Sequence, residues 1–174
     1  MANSREKQVY LGLGSNVGER EGFVLGALRH LEATGAASLV AFSDLYETQA
    51  VGMGKAMPFV NAVAEVATLL SPMDLLLRVK VIEREIGRSG GHNLPREIDI
   101  DIVAWGDSVF EMPGLIVPHP RYADRAFVLV PLRDVAPTFV CPVTGATIAA
   151  MIARVGTGGI TRISQRHAIG STTS

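Results

Sequence analysis

Apolar and polar positions along this chain change period several times, and each change marks an element. Gln8–Leu13 is a short, mostly apolar run that predicts a strand ending in Gly12-Leu13-Gly14-Ser15-Asn16-Val17-Gly18. From about Glu19 the spacing becomes helical, with Phe23, Leu28 and Leu31 on the buried side. Ser38–Tyr46 and Phe59–Thr68 read as strands. Between them Glu47–Pro58, with Gly52, Gly54 and Pro58, is too long and broken for a tight hairpin, and loops of that kind often carry function. Ser71-Pro72-Met73-Asp74 opens a second helix, with Ser as the cap, Pro at the first helical position and an acid in the first turn. That helix runs to about Gly87, and a Gly-rich polar loop over 88–94 follows.

Strict alternation returns at Pro95–Ile102, where isoleucines and acids exchange places. Beyond it the pattern predicts a reversal around Gly106–Phe110, a Pro-bounded segment over 113–120, and short helices near Phe127–Asp134 and Ala146–Val155. The order β-α-β-β-α-β is the split βαβ of ferredoxin-like α+β folds. It predicts an antiparallel four-stranded sheet with both long helices on one face and substrate loops at the other. Residues 1–155 make one domain in this reading, and the small, polar residues 156–174 are expected to fray.

Composition narrows the classes. A chain of 174 residues can bury one good core, and a net charge of −1 gives no electrostatic reason to bind nucleic acid. Arginine supplies 13 of the 16 basic residues, a bias that fits planar phosphate recognition but that genome composition also produces. With Cys141 alone, no intramolecular disulfide can form, and its setting between Val140 and Pro142 reads as packing. Neither a secretory leader nor a membrane span is visible, so a cytoplasmic monomer is expected.

The chemistry concentrates in the alternating strand. Asp99 and Asp101 project from one face, close enough to share a hard cation, and Mg²⁺ is commonly held by one or two carboxylates plus substrate phosphates. Arg96 adds a guanidinium matched to phosphate oxygens. An acidic, solvated strand face is the plain alternative. The glycines at 12, 14 and 18 do not make a dinucleotide fingerprint, because the third is one residue late and no βαβ alternation follows. A tight strand-to-helix turn explains them.

Six segments, in order, resemble the 6-hydroxymethyl-7,8-dihydropterin pyrophosphokinase family. They are Tyr10-x-Gly12-x-Gly14-Ser15-Asn16-x-Gly18, Tyr46-Glu47-Thr48, Phe59-Val60-Asn61-Ala62-Val63, Ile82-Glu83-x-x-x-Gly87-Arg88, Pro95-Arg96-x-Ile98-Asp99-x-Asp101-Ile102, and the stretch from Val117-Pro118-His119 through Arg125 and Phe127 to Leu132. The resemblance implies transfer of diphosphate from ATP to the hydroxymethyl group of a reduced pterin, with release of AMP, in folate biosynthesis. It implies two Mg²⁺ ions on Asp99 and Asp101, with Arg96 also catalytic. ATP would lie against Glu83, Arg88, Arg96, Ile102, His119 and Arg125. The pterin would be held by Thr48, Val51, Phe59, Asn61 and Phe127, the two rings stacking on it. A Mg²⁺-dependent phosphoesterase and a non-catalytic binding module are the competing classes. Two departures stand out: Ser89–Leu94 lacks the family's intermediate Arg and its Trp, having His92, Asn93 and Leu94 instead, and Gln49-Ala50 stands where two prolines are usual. A retained reaction with differently built loops is the expectation.

Overall fold

The computed structural model describes residues 6–49, 57–87 and 97–164. In chain order the elements are β1 (Lys7–Ser15), α1 (Arg20–Ala33), β2 (Ser38–Phe42), β3 (Leu45–Thr48), β4 (Phe59–Thr68), α2 (Pro72–Ile86) and β5 (Asp99–Trp105). They continue with β6 (Phe110–Met112), β7 (Leu115–Val117), a 3-10 turn at Tyr122–Asp124, α3 (Ala126–Val135), α4 (Ile148–Val155) and β8 (Ile160–Ser164). The main sheet has six strands with every pairing antiparallel: β5, β1, β4, β3 and β8 run in that order, and β2 lies beside β3 along β4. The α+β class holds, and the four expected strands form its centre.

Alternation in the strands sorts side chains between two cores. Leu11, Val60 and Ile100 face α1 and α2, where Val24, Leu28, Leu31, Leu75, Val79 and Ile82 complete an aliphatic layer. Tyr10, Val63 and Val103 face the other way, under Leu129 and Leu132 of α3 and Ile148 and Met151 of α4. The second face is therefore not left to loops, as expected; α3 and α4 cover the half that carries Tyr10, Val63 and Val103. Among the described residues, α3 and α4 leave the half toward Asp99, Gly14 and Asn61 without such a cover.

Three further expectations change. The single strand over Ser38–Tyr46 is two, because Ser43 turns its polar groups onto β4: its N–H donates to the Val63 carbonyl and its hydroxyl accepts from Val63 N–H, both at 2.9 Å. The chain does turn at Gly106, which takes a φ of 51° while Ser108 N–H donates to the Trp105 carbonyl at 3.0 Å, but the paired hairpin forms further on, between β6 and β7 at Pro113–Gly114, where Gly114 takes a φ of 79°. Within the tail expected to fray, Ile160–Ser164 pair with β3, and Arg162 donates to Asp44 Oδ2 at 3.1 Å. That edge supplies the order the local sequence lacks. The expected cap on α2 is present: Ser71 Oγ accepts from Asp74 N–H at 3.2 Å, and Gly87 ends the helix in the left-handed region. Such a cap contributes about 1 kcal/mol.

Candidate active site

Register across the sheet builds the site. Gly14 pairs with Asp99 on one side and Asn61 on the other, and Asn61 pairs with Tyr46. Gly12 pairs with Asp101. The two glycines thus separate the carboxylates of β5 from the amide of β4 by a strip without side chains. A Cβ on Gly14 would sit 3.4 Å from Asn61 Oδ1 and 4.0 Å from the Phe59 ring; one on Gly12 would press to 3.2 Å from Val103. The result is a flat-floored hollow, walled by Asn61 and Phe59 and open toward Asp99 and Asp101. Asn61 is nearly buried, and its Nδ2 donates to Thr48 Oγ1 at 2.9 Å, which fixes the amide and directs its oxygen toward the glycine strip.

Isoleucines at 98, 100 and 102 are all buried in the helix-side core, and this pins β5 so that Asp99 and Asp101 share the other face. Among the described residues no cluster of three or more His, Cys, Asp or Glu suits a metal. An oxygen-only pair with room beside it fits Mg²⁺ completed by substrate oxygens, not a closed protein cage.

A histidine and an arginine face the pair. His119 is tied to β5 by its N–H, which donates to the Val103 carbonyl at 2.9 Å, and its Nδ1 accepts from Arg121 N–H at 3.1 Å. In the neutral ring that bond leaves the proton on Nε2. Burial pushes the His119 pKa below its ordinary value; Asp101 opposes this, and Arg125 and Arg121 add to it. Burial also lowers Arg125, as does Arg121, while Asp101 and Asp99 pull it back up. The guanidinium of Arg125 lies 5.6 Å from the centre of the Phe127 ring, which is 37 % exposed at the start of α3. A large aromatic left this open, beside a cation, can accept a second flat group.

A cavity of about 690 Å³ opens at the β5 edge, bounded by Leu76 and Lys80 of α2, Asp101, Ile102, His119 and the β6–β7 hairpin. Pockets for small ligands usually span roughly 300–1,000 Å³, so this one is of a size for a small ligand. Ile102 lines it, with its side chain otherwise in the core. Leu76, Lys80 and the hairpin, which line this cavity, were not legible in the sequence. Glu83 itself is 1 % exposed, and its Oε1 accepts from Lys80 Nζ at 3.0 Å and from the Ile100 N–H at 2.7 Å. It therefore covers the open edge of β5 from behind, between the two aspartates.

Asp99, Asp101, His119, Arg125 and Ile102 thus gather at the β5 edge, and Thr48, Asn61 and Phe59 wall the hollow beside them. Val51, Arg88, Arg96 and the loop with His92 lie outside the described residues, as does Ala50.

An α+β sheet with two neighbouring carboxylates beside a cavity has the groups that an enzyme of metal-assisted phosphate chemistry needs. Comparison with known proteins makes it specific. The chain belongs to the 7,8-dihydro-6-hydroxymethylpterin-pyrophosphokinase (HPPK) family, whose model matches residues 10–137. A relative from Aquifex aeolicus, named 2-amino-4-hydroxy-6-hydroxymethyldihydropteridine pyrophosphokinase, is 40% identical over 136 residues, covering 78% of this chain and 84% of its own. The folic acid synthesis protein fol1 of Pneumocystis carinii is 40% identical over 148 residues, covering 84% of this chain; the chain spans only 20% of that longer protein. The wild-type HPPK-DHPS of Plasmodium falciparum, solved with pteroate, shares the fold at a TM-score of 0.70 and 16% identity, over 86% of this chain and 42% of that one. Among the described residues no helix is long and apolar enough to cross a membrane.

Proposed function

We infer that this chain transfers the terminal diphosphate of ATP to the hydroxymethyl oxygen of 6-hydroxymethyl-7,8-dihydropterin, in folate biosynthesis. The observation that carries this reading is the glycine-floored hollow placed against Asp99 and Asp101 in a chain of this family. The pterin lies in the hollow, with Asn61 reading its amide-like edge through one acceptor and one donor and Phe59 and Phe127 covering its faces. Thr48 orients that amide, and Val51 is a further pterin contact that the family resemblance implies. The nucleoside occupies the cavity lined by Ile102 and Leu76, which directs the triphosphate toward His119 and Arg125; Arg88 and Arg96 are the further phosphate ligands that the family resemblance implies. His119 donates from Nε2 to a phosphate oxygen, and the arginines neutralise charge.

Asp99 and Asp101 hold Mg²⁺, two ions in our reading, which when bound neutralises phosphate charge and acidifies the attacking hydroxyl. The hydroxymethyl oxygen forms a bond to the β-phosphorus, the bond to the α,β-bridging oxygen breaks, and AMP leaves with that oxygen. Asp101 is the carboxylate at hand for the hydroxyl proton. Glu83 acts from behind the strand. We also propose that the enzyme works as a cytoplasmic monomer.

The test is AMP release from ATP with Mg²⁺, with and without 6-hydroxymethyl-7,8-dihydropterin, beside Asp99→Ala. Pterin-dependent AMP that disappears in the variant is expected. ADP or phosphate formed without pterin would instead mark a phosphoesterase.

A further inference from the structure

Arg20 breaks a local rule. It is the first residue of α1, where the helix dipole disfavours a cation, and Glu19 before it makes no capping hydrogen bond with its side chain. It is also mostly buried, at 19% side-chain exposure. A long cation placed there, at a helix start without a cap, is explained by what it touches. Its Nη1 donates to Glu47 Oε2 at 3.0 Å and to the Pro58 carbonyl at 2.6 Å. Glu47 precedes Thr48, and Pro58 precedes Phe59; Thr48 and Phe59 are the last paired residues of β3 and β4. Glu47 pairs with Val60, which belongs to the helix-side core, so Arg20 grips this end of the ladder from beneath the sheet. Thr48, Phe59 and Asn61 project from the opposite face, into the hollow.

We propose that Arg20 is a positioning residue for the pterin hollow: through Glu47 and the Pro58 carbonyl it holds the terminal rung whose far-side groups, Thr48 and Phe59, shape the wall. The inference rests on the reading of that hollow as the pterin site. Strand ends splay where a ladder stops, and one planar guanidinium with two acceptors on separate strands fixes both at once. The nucleotide cavity lies at the opposite edge of the sheet and shares none of these residues. Arg20 therefore acts on one substrate and not on the other.

The experiment measures two affinities in each variant. Pterin binding is read from the fluorescence of 6-hydroxymethyl-7,8-dihydropterin at saturating α,β-methylene-ATP and Mg²⁺, and analogue binding by calorimetry. Arg20→Gln and Glu47→Gln should each weaken the pterin roughly tenfold and the analogue by less than about twofold. The double variant should be no worse than Arg20→Gln alone, because Glu47 acts through its contact with Arg20. Arg20→Lys, which keeps a charge facing Glu47, should recover part of the loss. Equal weakening of both ligands, or unchanged pterin affinity, overturns the proposal. Asn61→Ala, run beside them, separates the two ways to fail. If Asn61→Ala loses the pterin while Arg20→Gln does not, only the role of Arg20 falls; if neither loses it, the pterin reading falls and takes this one with it. Should Arg20→Gln not fold, Glu47→Gln carries the same test.

Discussion

The two faces of the sheet are built from alternate residues of the same strands, yet they obey different rules. On the helix side Leu11, Leu13, Val60, Ala62, Ile100 and Ile102 form a continuous aliphatic surface, filled by α1 and α2. On the other side the same strands offer Gly12, Gly14, Asn61, Asp99 and Asp101, which bury little apolar area and leave like charges as neighbours. One face stabilises the fold along its whole length, whereas the other does so under α3 and α4 and gives up stability for room and charge in the half that carries Gly14, Asn61 and Asp99. Stability and activity should therefore respond to different substitutions, even at positions adjacent in sequence.

The largest effect tests the charged face. Asp101→Ala should lower pterin-dependent AMP formation by roughly a thousandfold, the scale of losing a group that places charge against the transition state. Its urea midpoint should not fall, since one of two neighbouring like charges is gone. A variant that lost stability along with activity would break the comparison. The opposite case is Leu28→Ala, 2 % exposed in the helix-side core. It should cost about 2–5 kcal/mol in urea unfolding. Both Michaelis constants should stay where they are at temperatures where the variant is folded.

Glycines sharpen the contrast because the two faces use them differently. Gly14→Val puts its branch toward Asn61 Oδ1, 3.4 Å from the new Cβ, and so into the hollow. Pterin affinity should fall roughly a hundredfold. Stability should move by less than about 1 kcal/mol, since a β-branched residue suits a strand. Gly26 lies on α1, and a Cβ there meets nothing within 4 Å. Gly26→Ala should raise stability by about 0.5–1 kcal/mol and leave both substrates alone, as thermal unfolding and steady-state kinetics would show.

The same contrast explains what could be read from the sequence. Isoleucines alternating with Asp99 and Asp101 gave the strand and the carboxylate pair at once, because period two needs only local information. Ser71, Pro72 and Gly87 marked α2 for the same reason. β8 was invisible: its order comes from pairing with β3 and from Arg162 on Asp44, neither of which a glycine-rich local stretch reveals. The break at Ser43 was hidden as well, since a buried serine looks like any strand residue until Val63 is placed beside it. Nor did the pattern show that α3 and α4 would turn back over the second face. Of the site, residues carried by named motifs were legible; Leu76, Lys80 and the β6–β7 hairpin meet only after α2 and β5 have packed.

The smallest effect concerns His119, which belongs to both regimes: partly buried like the core, yet facing Asp101 and Arg125. Burial holds its pKa below the ordinary 6.5, with Asp101 opposing and Arg125 and Arg121 assisting. In the unfolded chain the imidazole titrates near that ordinary value. As pH falls through it the unfolded state takes up a proton that the folded state resists. The His119 contribution to stability is thus complete above the unfolded pKa and is lost progressively as pH drops toward the folded one. Wild type should lose more stability between about pH 7.5 and pH 5.5 than His119→Asn, whose amide oxygen can still accept from Arg121 N–H. Equal losses would mean that the ring is solvated in the native state. Saturating α,β-methylene-ATP should reverse the sign: triphosphate oxygens beside Nε2 favour the charged ring, so analogue affinity should rise as pH falls over the same range in wild type and stay flatter in the variant.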